Sequence, residues 1–154
     1  MDLLVAKRAT KDFGGVRAVN AVDLAVEEGQ IFGIIGPNGS GKTTFFNILT
    51  GIYKPTEGRF LFGGQDITGW PSHKVVTAGI ARTFQNIRLF GDMSVEGNVL
   101  VGHHIKLNAT LGGALLRTPG HRRAESMARE RADELLEFVG LIERKDEFAA
   151  NLAY

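Results

Sequence analysis

The run Gly36-Pro37-Asn38-Gly39-Ser40-Gly41-Lys42-Thr43 fits G-x-x-x-x-G-K-[ST] at every fixed position. Its glycines let the backbone curl until successive N–H groups converge on phosphate oxygens. A helix starting directly after the loop adds the positive end of its dipole at the same place. Lys42 is suited to neutralise β- and γ-phosphate charge, the Thr43 hydroxyl to complete a Mg²⁺ shell between them, and Thr44 adds one more hydroxyl. The competing explanation is a glycine-rich turn followed by a chance Lys-Thr. The flanking pattern, apolar before and helical after, favours nucleoside triphosphate binding, but the motif leaves kinase, GTPase and transport ATPase open.

The elements that must position this loop are legible around it. Val22, Leu24 and Val26 alternate with Asp23, Ala25 and Glu27, predicting a half-buried antiparallel strand closed by Glu28-Gly29. Ile31-Phe32-Gly33-Ile34-Ile35 is a continuous apolar run of the kind that parallel sheets bury on both faces, predicting a central strand. From Gly41 to Thr50 the pattern suits a helix, with Gly51 as its stop. Pro55 and Gly58 mark a turn, Arg59 to Phe62 a strand, and Gly63-Gly64 a second turn. Ser72, as N-cap beside Pro71, opens a helix to about Ala78, and Ile80 to Phe84 reads as a further strand ending at Gln85. Ala124, Met127, Ala128, Ala132, Leu135, Leu136 and Val139 recur at helical spacing, with Gly140 as the cap and Leu141 as its apolar companion. Trp70 is assigned to packing.

Composition sets the outer limits. The 154 residues are the size of one domain, and 44% hydrophobic with 23% charged residues is the balance of a folded globular chain. Eighteen basic against 17 acidic residues leave +1 at pH 7, so no global field draws the chain to nucleic acid or an anionic membrane. The absence of cysteine excludes disulfides, thiolate metal sites and cysteine nucleophiles. No apolar stretch approaches the ~18 residues of a spanning helix, and the start does not read as a secretory signal. The 20 glycines are aperiodic, which rules out collagen-like repeats. His103 and His104 are adjacent and diverge on any regular element, so they are assigned to a loop, and Arg122-Arg123 to a solvated helix end.

Over its whole length the chain resembles the ATP-binding subunits of ABC transporters, in particular the LivG type of branched-chain amino acid importers. The segments that carry the likeness are Phe13 to Val19, the phosphate loop, Asn47 to Gly51, Arg82-Thr83-Phe84-Gln85 and Asn151 to Tyr154, with Arg88-Leu89-Phe90 and the stretch from Gly112 to Leu141 pointing to the LivG group. The resemblance implies an α/β fold, a P-loop NTPase core with an N-terminal antiparallel β subdomain and the start of a helical subdomain, truncated. Residues 1–85 then form the ATP-binding core and 86–154 the helical subdomain up to the opening of the signature motif. It implies that Phe13 stacks on adenine, which suits a π face without a hydrogen-bonding edge. Gln85 falls at the Q-loop position and is expected to reach Mg²⁺ and the attacking water. ATP and Mg²⁺ are the implied cofactors. The implied partners are membrane-spanning permease subunits, a second ATP-binding subunit and, indirectly, a periplasmic or extracellular binding protein, with no nucleic acid. The expected location is peripheral, on the cytoplasmic face of the membrane.

The sequence also departs from that family. After Phe62 there is no apolar strand ending in Asp-Glu to supply the Walker B carboxylates, and the switch histidine has no counterpart among His73, His103, His104 and His121. Leu152-Ala153-Tyr154 resembles the opening of the LivG signature, whose next residues this chain lacks, so a partial product is expected. Slow hydrolysis follows, since no base orients water, as does poor solubility from uncovered sheet. Gly97 stands where the family usually has Glu, which weakens a helix from Ser94 to Leu100 by roughly 1 kcal/mol. A short non-hydrolysing nucleotide-binding regulatory module is the alternative. A P-loop kinase is disfavoured because Arg122, Arg123, Arg129 and Arg131 are phased on a helix rather than in a lid.

Overall fold

The computed structural model describes residues 2–83, 89–103 and 119–152. The chain divides into two compact units, Met1–Thr83 and Phe84–Tyr154.

The first unit is built on a four-stranded antiparallel sheet of order β2-β1-β3-β4, from β1 (Asp2–Phe13), β2 (Val16–Glu27), β3 (Glu57–Phe62) and β4 (Gln65–Asp66). β2 is longer than the alternating segment from Val22 to Glu27. β1 has no clean alternation because its ladder is broken: Arg8 and Ala21 take positive φ (49° and 46°), and the register shifts between Ala6 and Ala9. Thr10, only 2% exposed, closes this irregularity. Its hydroxyl accepts from the Ala21 amide at 3.0 Å and donates to the Arg8 carbonyl at 3.1 Å. Replacing Thr10 by Val keeps the shape but removes the acceptor for the Ala21 amide, so urea unfolding is expected to show a loss of about 1 kcal/mol.

Helix α1 (Lys42–Leu49) lies against this sheet. Eight residues are too few for a helix to persist alone, so packing holds it. Phe45, Ile48 and Leu49 are buried with Ala6, Ala9, Val19, Phe60 and Ile67, and Trp70 and Ile80 pack around them. Gly51 ends the helix at φ 73°, as expected from the sequence. β3 and β4 are joined by Gly63 and Gly64, both at positive φ (54° and 80°), the requirement of a two-residue type I′ hairpin. Helix α2 (Ser72–Ala78) forms, but its N-cap is Pro71 rather than Ser72, and no side chain caps it.

Two predicted strands are not strands. Residues 31–35 run irregularly with Ile31 and Ile35 101% and 98% exposed, although Ile34 reaches the core. Residues 80–83 are likewise irregular, and Phe84 lies outside the described residues. An apolar run becomes a strand only by pairing, and a strand buried on both faces needs neighbours on both edges. Among the described residues no strand lies alongside either run. The 80–83 segment is held by a side chain instead. Arg82 Nη1 donates to Asn47 Oδ1 at 2.7 Å and lies 3.5 Å from Thr50 Oγ1, at the C-terminal end of α1. It brings a cation where the helix's own last turn has none.

In the second unit, α3 (Val95–His103) packs on α4 (Pro119–Phe138) through Val95, Ala128, Ala132 and Leu136. α3 forms despite Gly97: Ser94 Oγ accepts from the Gly97 amide at 3.0 Å, and Met93 folds over the glycine, where a Cβ would meet its Cγ at 2.5 Å. α4 ends as predicted, at Gly140 (φ 72°), with the Leu141 amide donating to Leu136 O at 2.8 Å. Its buried stripe is narrower than the sequence pattern, since Met127, Leu135 and Val139 are exposed. Lys145 Nζ reaches both Asp133 carboxylate oxygens at 3.0 Å. His103 is not in a loop but closes α3, Arg123 is exposed on α4, and His104 lies outside the described residues. Among the described residues, no helix is long and apolar enough to cross a membrane.

Candidate nucleotide-binding loop

Residues 36–41 form a loop that delivers the chain into α1. Gly39 (φ 81°) and Gly41 (φ 87°) both take left-handed conformations. Gly41 is the N-cap, and a Cβ there would overlap the Ala18 carbonyl of β2. The helix is thus set directly against β2. Its first i→i−4 bond runs from the Phe45 amide to Gly41 O at 2.8 Å, so the amides of Lys42, Thr43 and Thr44 precede any helical acceptor. No acidic residue in the first turn offsets the positive end of the dipole.

Lys42 bends back over the loop. Its ammonium donates to Gly36 O at 2.6 Å and Pro37 O at 2.8 Å, with Ser40 Oγ at 3.4 Å. The Ser40 amide donates to Pro37 O at 3.3 Å. The ammonium bridges the loop's backbone carbonyls.

A cavity of about 480 Å³ opens here. Of the residues expected from the sequence, Gly36, Pro37, Ser40, Gly41 and Lys42 line it. Asn38 and Gly39 form the exposed loop tip, and Thr43 and Thr44 open α1 without lining the cavity. The β2 residues Arg17 to Asn20 also line it, and the sequence gives no site signal for them. Arg17 is fixed by Asp12, donating from Nε to Oδ1 at 2.8 Å and from Nη2 to Oδ2 at 3.1 Å. This pair holds the Asp12 carboxyl below its usual range and raises the Arg17 guanidinium. With its folded pKa lowered, Asp12 contributes above the unfolded carboxylate pKa, and that contribution is lost as pH falls through the folded value.

Phe13 ends β1, is 42% exposed and is not among the residues lining the cavity. Its ring meets Tyr53 edge-on with centroids 5.2 Å apart, and Lys11 Nζ lies 5.1 Å from its centroid. Tyr53 was missed, because nothing in its spacing links it to Phe13. Gln85 lies outside the described residues.

Comparison with known proteins gives the family. A profile of the family described as ABC transporter matches residues 19–154. The chain is 47% identical over 152 residues to BraF of Pseudomonas aeruginosa, a high-affinity branched-chain amino acid transport ATP-binding protein, covering 99% of this chain and 60% of that protein. It is 49% identical over 142 residues to LivG of Escherichia coli, a protein of the same description, covering 92% of this chain and 56% of that one. Among solved structures, a nucleotide-free ATP-binding cassette from an ABC transporter superposes with a TM-score of 0.78 at 35% identity, covering 99% of this chain and 60% of that one. A cassette in its ADP conformation matches with the same score and identity, over 99% of this chain and 59% of that one. The chain spans about 60% of the length of the relatives it matches. The phosphate-loop geometry, the antiparallel sheet beside it and these matches establish that the chain belongs to the ABC transporter family, with the fold of its ATP-binding cassette.

Proposed function

We propose that the chain provides the nucleotide-binding part of an ATP-binding subunit that energises a branched-chain amino acid importer. The observation that carries this reading is the Lys42 ammonium, held by the carbonyls of Gly36 and Pro37 beside an uncapped helix start and an open cavity. In this reading the amides from Gly39 to Thr44 and the Lys42 ammonium hold the phosphates of ATP. Asn38 lies at the loop tip, and the Thr43 hydroxyl is the protein ligand to Mg²⁺, an ion that screens the charge between β- and γ-phosphates. Phe13 supplies a face for adenine and Gln85 a second oxygen for the metal, both on the strength of the family resemblance.

The transport assignment rests on the roles of BraF and LivG as branched-chain amino acid transport ATP-binding proteins. It implies permease subunits, a second ATP-binding subunit and a peripheral position on the cytoplasmic face of a membrane. In a strain whose own subunit is replaced by the protein carrying this chain, Lys42→Ala is expected to abolish ATP-dependent leucine uptake. Uptake undiminished by the change contradicts the reading. A regulatory module that binds nucleotide without driving transport predicts that undiminished result.

A further inference from the structure

The β2 side of the cavity carries a second cation, Arg17. Among the described residues, those lining the cavity include no carboxylate, and the charged ones are Lys42 and Arg17. Val22, Ile34 and Phe45 make the remaining surface apolar, so polar recognition on the β2 side falls to Arg17 and Asn20. Arg17 is held in place, since Asp12 takes two of its five N–H donors and Asn20 Oδ1 lies 3.4 Å from Nη1. Donors on its terminal nitrogens remain. The next residue, Ala18, presses its carbonyl on Gly41, which places this stretch of β2 directly beside the first turn of α1.

We propose that Arg17 is a nucleotide-contacting residue whose guanidinium, oriented by Asp12, donates to the α-phosphate; this rests on the nucleotide reading above. Lys42 is anchored at the loop, on Gly36 and Pro37. With the γ end of a polyphosphate at Lys42 and the base at Phe13, whose neighbour Asp12 pairs with Arg17 across the hairpin, the α end falls on the Arg17 side of the cavity. A planar guanidinium already held by a carboxylate loses little freedom in making this contact. Because the side chain is 51% exposed, the contact belongs at the weaker end of charge-assisted bonds.

Calorimetric titration of the chain with Mg·ATP and Mg·ADP tests this. Arg17→Gln is expected to raise both Kd values by the same factor, about five- to ten-fold, because the α-phosphate is common to both ligands. Arg17→Lys, which keeps the charge but loses the fork, is expected to fall between. Asp12→Asn is expected to weaken binding in the wild-type background and to have no effect in Arg17→Gln. An unchanged Kd in Arg17→Gln, while Lys42→Ala loses binding, overturns the role of Arg17 and leaves the loop intact as the site. A loss for ATP alone overturns the α-phosphate contact. Equal loss from Asp12→Asn with and without Arg17 assigns the effect to the hairpin and overturns the proposal. If Lys42→Ala also binds unchanged, the nucleotide reading itself fails.

Discussion

Gly41→Val is expected to destabilise the first unit by about 3 kcal/mol and to eliminate nucleotide binding. Two costs combine. At φ 87° the position lies in the left-handed region, where a β-branched residue is strained. A Cβ there also overlaps the backbone carbonyl of Ala18 and approaches Val19 Cγ2 at 3.5 Å. A backbone carbonyl cannot rotate away as a side chain can, so the strain passes either to β2 or to the start of α1. Gly39 separates the two costs: its φ of 81° is similar, yet nothing lies within 4 Å of its Cβ position. Gly39→Val is therefore expected to cost about 1 kcal/mol. Urea unfolding of both variants measures the difference, and equal losses contradict the close approach of β2 to the helix cap as the cause.

Lys42→Ala is expected to weaken Mg·ATP binding by roughly 100-fold, the equivalent of about 2.7 kcal/mol. The ammonium has two jobs. It closes the loop through the Gly36 and Pro37 carbonyls, and it offers charge to the phosphates. Alanine removes both, while the burial of Phe45, Ile48 and Leu49 that anchors α1 is untouched. The melting temperature of the free protein should therefore move little. Lys42→Arg is not expected to restore affinity, since a rigid planar fork cannot point three donors into a curl shaped around a compact ammonium. A large fall in melting temperature with unchanged affinity contradicts this division of roles.

The loop and its helix were legible because their determinants are local: glycine at left-handed positions, a lysine after them, and apolar residues at helical spacing. The Gly63-Gly64 hairpin and the Gly140 helix stop were legible for the same reason. The runs at 31–35 and 80–83 have strand character in their residues alone, whereas a strand exists only where a neighbour supplies the other half of its ladder. β1 was passed over for the opposite reason, since pairing with β2 and β3 sustains it through a bulge that breaks the alternation at Arg8. The β2 wall of the cavity follows from register, in which Asp12 faces Arg17 and Ala18 abuts Gly41. No spacing in the sequence expresses that contact. The meeting of Phe13 with Tyr53, 40 positions apart, is hidden in the same way.

The central claim is that the curl from Gly36 to Lys42 receives the phosphates of a nucleotide. Calorimetric titration of the chain with Mg·ATP tests it most directly. Saturable heat with one site per chain, lost in Lys42→Ala, is the predicted result, and no heat at saturating nucleotide from the folded wild-type chain contradicts it.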